Sequence, residues 1–117
     1  MKENIIKNKS FEFALRIVKL YQYLAESKKE YVLSKQLLRS GTAIGALVRE
    51  SEHAESKADF IHKLSISLKE ANETDYWLEL LFRSNYLDET EYNSMKNNIE
   101  EILKLLVSII KTSKSQR

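Results

Sequence analysis

Apolar residues recur along this chain at spacings of three and four, the period of a helix with one buried face. The first run spans Phe11 to Ala25, where Phe11, Ala14, Leu15, Val18, Tyr21 and Leu24 form a stripe. Ser10 precedes it and is the expected N-cap, because a serine hydroxyl can accept from a free amide of the first turn. The second run spans Tyr31 to Ala54 and places Leu33, Leu37, Ser40, Ile44, Leu47, Val48 and Ser51 on one face. Gly41 and Gly45 lie one turn apart beside that face. Glycine is costly inside a helix, so the pair predicts a close helix crossing. The third run spans Ala58 to Asn85, with Phe60, Ile61, Leu64, Leu68, Ala71, Leu78, Leu81 and Phe82 as its stripe. Ser56 is its expected cap and Asp59 a favourable first-turn anion. The fourth run follows Asp88, whose capping-box partner is Glu91, and carries Tyr92, Met95, Ile99, Ile102, Leu106 and Ile109. Short connections make successive helices antiparallel neighbours. The expected fold is all-α, an antiparallel up-down-up-down four-helix bundle forming a single domain over residues 1–117. Its ordered core is expected over about 10–112, with flexible termini.

Composition supports long helices. The 117 residues include no proline and two glycines, the residues least tolerated in helix interiors. Cysteine is absent, which rules out a disulfide framework, a thiol nucleophile and a Cys-based metal site, and fits a reducing, cytoplasmic setting. No apolar run approaches the roughly 20 residues that span a bilayer, so no membrane partner is expected. The start, Met1-Lys2-Glu3-Asn4, is too polar for a signal peptide. A net charge of +2 at 31% charged residues describes an ordinary solvated surface, on which only a local basic patch could attract a polyanion.

Candidate chemistry is sparse. Glu50-x-x-His53 has the Glu-x-x-His spacing of di-metal bundles, and Asp59-x-x-His62 echoes it. Both pairs lie near the predicted turn between the second and third helices, and carboxylates at matching depth are missing. No metal site and no cofactor are therefore expected. Arg39 and Glu70 flank their stripes and suit an interhelical ion pair that fixes register. No nucleophile–base order, phosphate loop or dinucleotide fingerprint is present, so no enzyme is expected. Tyr76, Trp77 and Leu80 fall well away from the third stripe and add a second apolar strip to that helix, the mark of an oligomer interface. Arg16, Arg39 and Arg49 are the candidate phosphate contacts, if helix packing gathers them on one surface.

Two strings carry a resemblance. One reads Arg39-Ser40-Gly41-Thr42-Ala43-Ile44-Gly45-Ala46. The other reads Lys69-Glu70-Ala71-Asn72-Glu73-Thr74-Asp75-Tyr76-Trp77-Leu78. Together they resemble the bacterial four-helix-bundle family encoded by intervening sequences of 23S rRNA genes, also called S23 ribosomal protein-like, over roughly Phe11 to Leu106. Leu47 departs from the family pattern, which has Asn there. The chain is also similar to the accessory protein of diversity-generating retroelements, a pentameric bundle that binds nucleic acid. The resemblance implies a four-helix bundle assembled as a homopentamer, and so a partner that is the chain itself, with RNA or DNA as a further one. The resulting expectation is a non-enzymatic oligomeric bundle that binds RNA or DNA through basic residues. The alternative is a protein-interaction or scaffold module without nucleic-acid binding.

Overall fold

The computed structural model describes residues 2–116, and for Glu3 the backbone alone. It contains α1 (Lys2–Glu26), α2 (Leu33–Ser51), α3 (Lys57–Arg83) and α4 (Glu89–Ser115). Each helix packs on two neighbours, α1 and α3 both lying against α2 and α4, so the cross-section is a square. The body measures 49 × 21 × 19 Å.

Cross-helix pairs run in opposite order along every seam. Ser10 of α1 meets Gly45 of α2, while Ile17, two turns on, meets Gly41. Ser67 Oγ donates to the Ile44 carbonyl at 2.9 Å, and further along Thr74 Oγ1 bonds Ser40 Oγ at 2.9 Å. Lys96 Nζ lies 2.7 Å from Asp75, and Phe82 stacks on Tyr92 with centroids 4.2 Å apart. Lys9 pairs with Glu101 at 3.0 Å, and Arg16 bonds Asn98. Each seam is antiparallel, which makes the bundle up-down-up-down.

The stripes expected on α2, α3 and α4 supply the core. Leu37, Ile44, Val48, Leu64, Ala71, Leu78, Leu81, Met95, Ile99, Ile102 and Leu106 are all buried. Side chains of this kind each contribute about 1.5–3 kcal/mol when fully buried, smaller for alanine. Ser56 caps α3 by accepting from Asp59 N, and Asp88 caps α4 by accepting from Glu91 N. Both caps agree with the sequence reading.

The first helix departs from it. α1 begins at Lys2, so the segment expected to fray is helical from there. Ser10 is not an N-cap; it lies mid-helix and fully buried. The face turned inward consists of Ile6, Ser10, Phe13, Ile17, Leu20 and Leu24. Phe11 and Leu15 are 50% and 52% exposed. Two residues correspond to about 200° around a helix, so Leu15 points away from the side that buries Phe13 and Ile17. The reason lies in α2. A Cβ on Gly45 would stand 3.2 Å from the Ser10 carbonyl oxygen, and one on Gly41 would stand 2.8 Å from Ile17 Cγ1. Only glycine opposite lets the backbone of α1 come this close, and Ser10 is the small residue that fits there.

Candidate interaction surfaces

The α1–α2 connection is built without glycine. Lys29 takes a left-handed φ of 55°, and Glu30 N donates to the Leu24 carbonyl at 2.9 Å, closing the last turn of α1. Glu30 then turns inward. Its carboxylate accepts from Val32 N at 3.1 Å, Leu33 N at 3.0 Å and Ser34 N at 2.7 Å. Burial alone would raise this carboxyl, but the amides of Leu33, Ser34 and Val32 and the Ser34 hydroxyl outweigh it and hold it below the usual carboxylate range. Glu30 thus caps α2 from outside the helix. The sequence reading missed it. The available signal was an acid four residues before Ser34, immediately ahead of the second stripe.

The three arginines expected to bind phosphate face three different seams. Arg39 lies between Glu70 and Glu73 of α3. Its Nη1 donates to Glu70 Oε2 at 3.3 Å and its Nη2 meets Glu73. Glu70 Oε1 sits 3.2 Å from Nη2 but outside hydrogen-bond geometry. The hydrogen bond to Glu70 raises the Arg39 pKa further, so this guanidinium is fixed as a cation in a register pair. Arg16 reaches across to α4, bonding Asn98 and lying 3.9 Å from Glu91. With Lys19, Leu20, Tyr23, Leu87 and Asp88 it lines a groove of about 470 Å³ whose charges balance. Arg49 stands over the Phe11 ring, 5.4 Å from its centroid, beside a cleft floored by Ala14, Gly45 and Ala46. Among the described residues it has no carboxylate within ion-pair distance.

The strip expected on α3 divides. Tyr76 is 61% exposed, whereas Trp77 is partly buried against the core and Leu80 is intermediate. Trp77 meets Tyr76 edge-on at 5.1 Å, and its Nε1 is shielded from solvent with no acceptor among the described residues. The apolar face left bare lies instead on α1, where Phe11, Leu15 and Val18 follow one another at helical spacing. Neither histidine is placed to ligate. His53 and His62 are exposed, Glu50 pairs with Lys63 at 3.3 Å, and Asp59 accepts from Glu55 N. Among the described residues, no three His, Cys, Asp or Glu side chains come together in a metal-holding group. No helix among them is long and apolar enough to cross a membrane.

The model of the 23S rRNA-intervening sequence protein family matches residues 2–108. The chain belongs to that family. The crystal structure of a Bacteroides thetaiotaomicron VPI-5482 protein of unknown function, described as from the S23 ribosomal protein family, is similar to this chain with a TM-score of 0.94 and 61% identity. The match covers 95% of this chain and 99% of that one. Among curated proteins none matches. Family membership therefore agrees with the four-helix fold read from the sequence, and it leaves the biochemical task to be argued from the surfaces.

Proposed function

We propose that this family member is a non-enzymatic binding bundle that acts as a homo-oligomer in the cytoplasm, with five copies the number that the family resemblance implies. One observation carries the reading: the outward stripe Phe11–Leu15–Val18, 50%, 52% and 38% exposed along two turns of α1, with no element among the described residues covering it. A monomer that keeps such a stripe in water forgoes burial worth about 25 cal/mol per Å². Contact with another copy recovers it, and closed symmetry uses the stripe without growing filaments. Tyr76, also outward, lies on the helix diagonal to α1 and supplies apolar surface on the opposite corner. A ring needs two such corners.

Light scattering after size exclusion tests this. The parent chain is expected to elute as one closed oligomer at micromolar concentration. Leu15→Glu is expected to yield a smaller species with unchanged helicity, because a charge in a buried contact is costly. A parent that is monomeric at that concentration overturns the reading. RNA or DNA binding through the predicted arginines receives weaker support, since Arg39 is committed to Glu70 and Glu73 and Arg16 to α4. Of the three predicted arginines, Arg49 alone has no side-chain ion-pair partner among the described residues.

A further inference from the structure

The α1–α2 tip combines aromatic faces and cations in a way the arginine sites do not. Between Ser27 and Gln36 the charged residues are Lys28, Lys29, Glu30 and Lys35. Glu30, the only acid, is folded inward, and its carboxylate is occupied by three backbone amides. The segment carries a net charge of +2 and, with Glu30 turned inward, presents three lysines outward; the exposed acid next to it is Glu26, the last residue of α1. None of the three lysines has a carboxylate partner among the described residues. Tyr31 is 51% exposed and Val32 71%. Tyr23, 45% exposed on the last turns of α1, has Lys28 Nζ 6.0 Å from its ring centroid and lines the groove that also holds Asp88 and Glu91. The Glu30 cap and the closing bond from Glu30 N to Leu24 hold the backbone of the tip in one shape, which lowers the ordering cost of presenting its side chains.

We propose that this tip is a contact site for single-stranded nucleic acid, with Tyr31 offering its ring face to a base and Lys28, Lys29 and Lys35 meeting phosphates. Base–aromatic stacking tolerates any sequence, and lysines track a flexible backbone. A membrane surface fits less well. One valine and two phenols supply little apolar area, and three lysines alone attract anionic lipid weakly. The α3–α4 corner at the same end of the bundle carries Asp88 and Glu89, which would turn a polyanion toward the lysine side. The proposal does not depend on self-association, which light scattering reads separately.

The test is fluorescence anisotropy of a fluorescein-labelled 15-nucleotide oligouridine with the full chain. With three phosphate contacts, the slope of log affinity against log salt is expected near −2. Tyr31→Ala is expected to weaken binding about tenfold. The triple Lys28→Gln, Lys29→Gln, Lys35→Gln variant is expected to abolish most of the salt dependence, with circular dichroism confirming an unchanged fold. Three results would overturn the site. One is no binding at 50 mM salt with protein at millimolar concentration. Another is a triple variant that binds as the parent does. The third is binding to phosphatidylserine vesicles, lost in the triple variant, without binding to RNA. Equal displacement by inorganic polyphosphate, together with an unaffected Tyr31→Ala, would overturn the stacking role.

Discussion

The two hairpins of this bundle solve the same packing problem by opposite means. In α3/α4, large side chains fill the seam: Phe82 stacks on Tyr92, Met95 and Leu78 are buried, and Lys96 bridges to Asp75. In α1/α2, the seam is filled by backbone. Gly41 and Gly45 admit Ile17 and Ser10 so closely that a methyl group at Gly41 would collide with the Ile17 side chain and one at Gly45 would press on the Ser10 backbone. A seam made of side chains announces itself in the sequence, because the residues that fill it are the residues that form the stripe. A seam made of glycine and serine does not. Its contacts come from what is missing, and the apolar stripe that a reader finds can belong to the other side of the helix.

That contrast predicts its largest consequence within α1. Ile17 is fully buried against Gly41, whereas Leu15 is half exposed two positions earlier. Ile17→Ala is expected to destabilise by about 2–5 kcal/mol, because the tight seam cannot collapse onto the space left behind. Leu15→Ala is expected within about 0.5 kcal/mol of the parent, at dilutions where the chain is monomeric. Urea unfolding of both variants checks this. Equal losses would mean that both faces of α1 are buried in solution.

How much was legible follows from the same contrast. The stripes of α2, α3 and α4, the caps Ser56 and Asp88, and the close crossing at Gly45 could all be read directly from residue types. The stripe of α1 could not be read by choosing the most apolar residues. Ile6, Ser10, Phe13, Ile17, Leu20 and Leu24 keep spacings of four and three without a break over five turns. That run is longer than the one from Phe11, but Ser10 within it reads as polar until a glycine is known to face it. Residue types place a second apolar strip on α3, but Trp77 is drawn against the core, and the exposed stripe lies on α1. Arg39, which pairs with Glu70 as expected, shows the limit for the charged candidates. Spacing identifies a plausible ion-pair partner, but it cannot show that three arginines point to three different seams.

The turns carry the comparison further. Glu30 satisfies three amides at the start of α2, while Asp88 accepts from Glu91 N at the start of α4. Glu30→Gln is expected to cost about 1–2 kcal/mol at pH 7, at the upper end for a cap because the group is buried. The folded-state pKa of Glu30 lies below its unfolded value. The carboxylate therefore contributes stability that is fully present above about pH 4.5 and fades as pH falls through the folded value. Thermal melts of parent and variant should differ most at neutral pH and converge in acid below about pH 4. A gap that stays constant down to pH 2 would show that the amides do not prefer the charged form.

The smallest effect separates the two left-handed residues. Lys29 holds a φ of 55° three residues after α1, and Asn85 a φ of 70° two residues after α3. A left-handed conformation crowds the Cβ against the following carbonyl, and asparagine relieves this through local hydrogen bonding while lysine does not. Glycine removes the clash but also frees the unfolded chain, which opposes the gain. Lys29→Gly is therefore expected to stabilise by about 0.5–1 kcal/mol, and Asn85→Gly to change stability by less than half of that. Two further features sharpen the difference. Lys29 has no carboxylate partner among the described residues, so its removal breaks no ion pair. The Glu30 cap immediately after it pins the backbone, so Lys29 cannot escape its conformation by shifting the turn. Chemical unfolding at matched salt reads both variants. A stabilised Asn85→Gly beside an unchanged Lys29→Gly would reverse the ranking and show that the strain of the bundle is held in the α3–α4 hairpin.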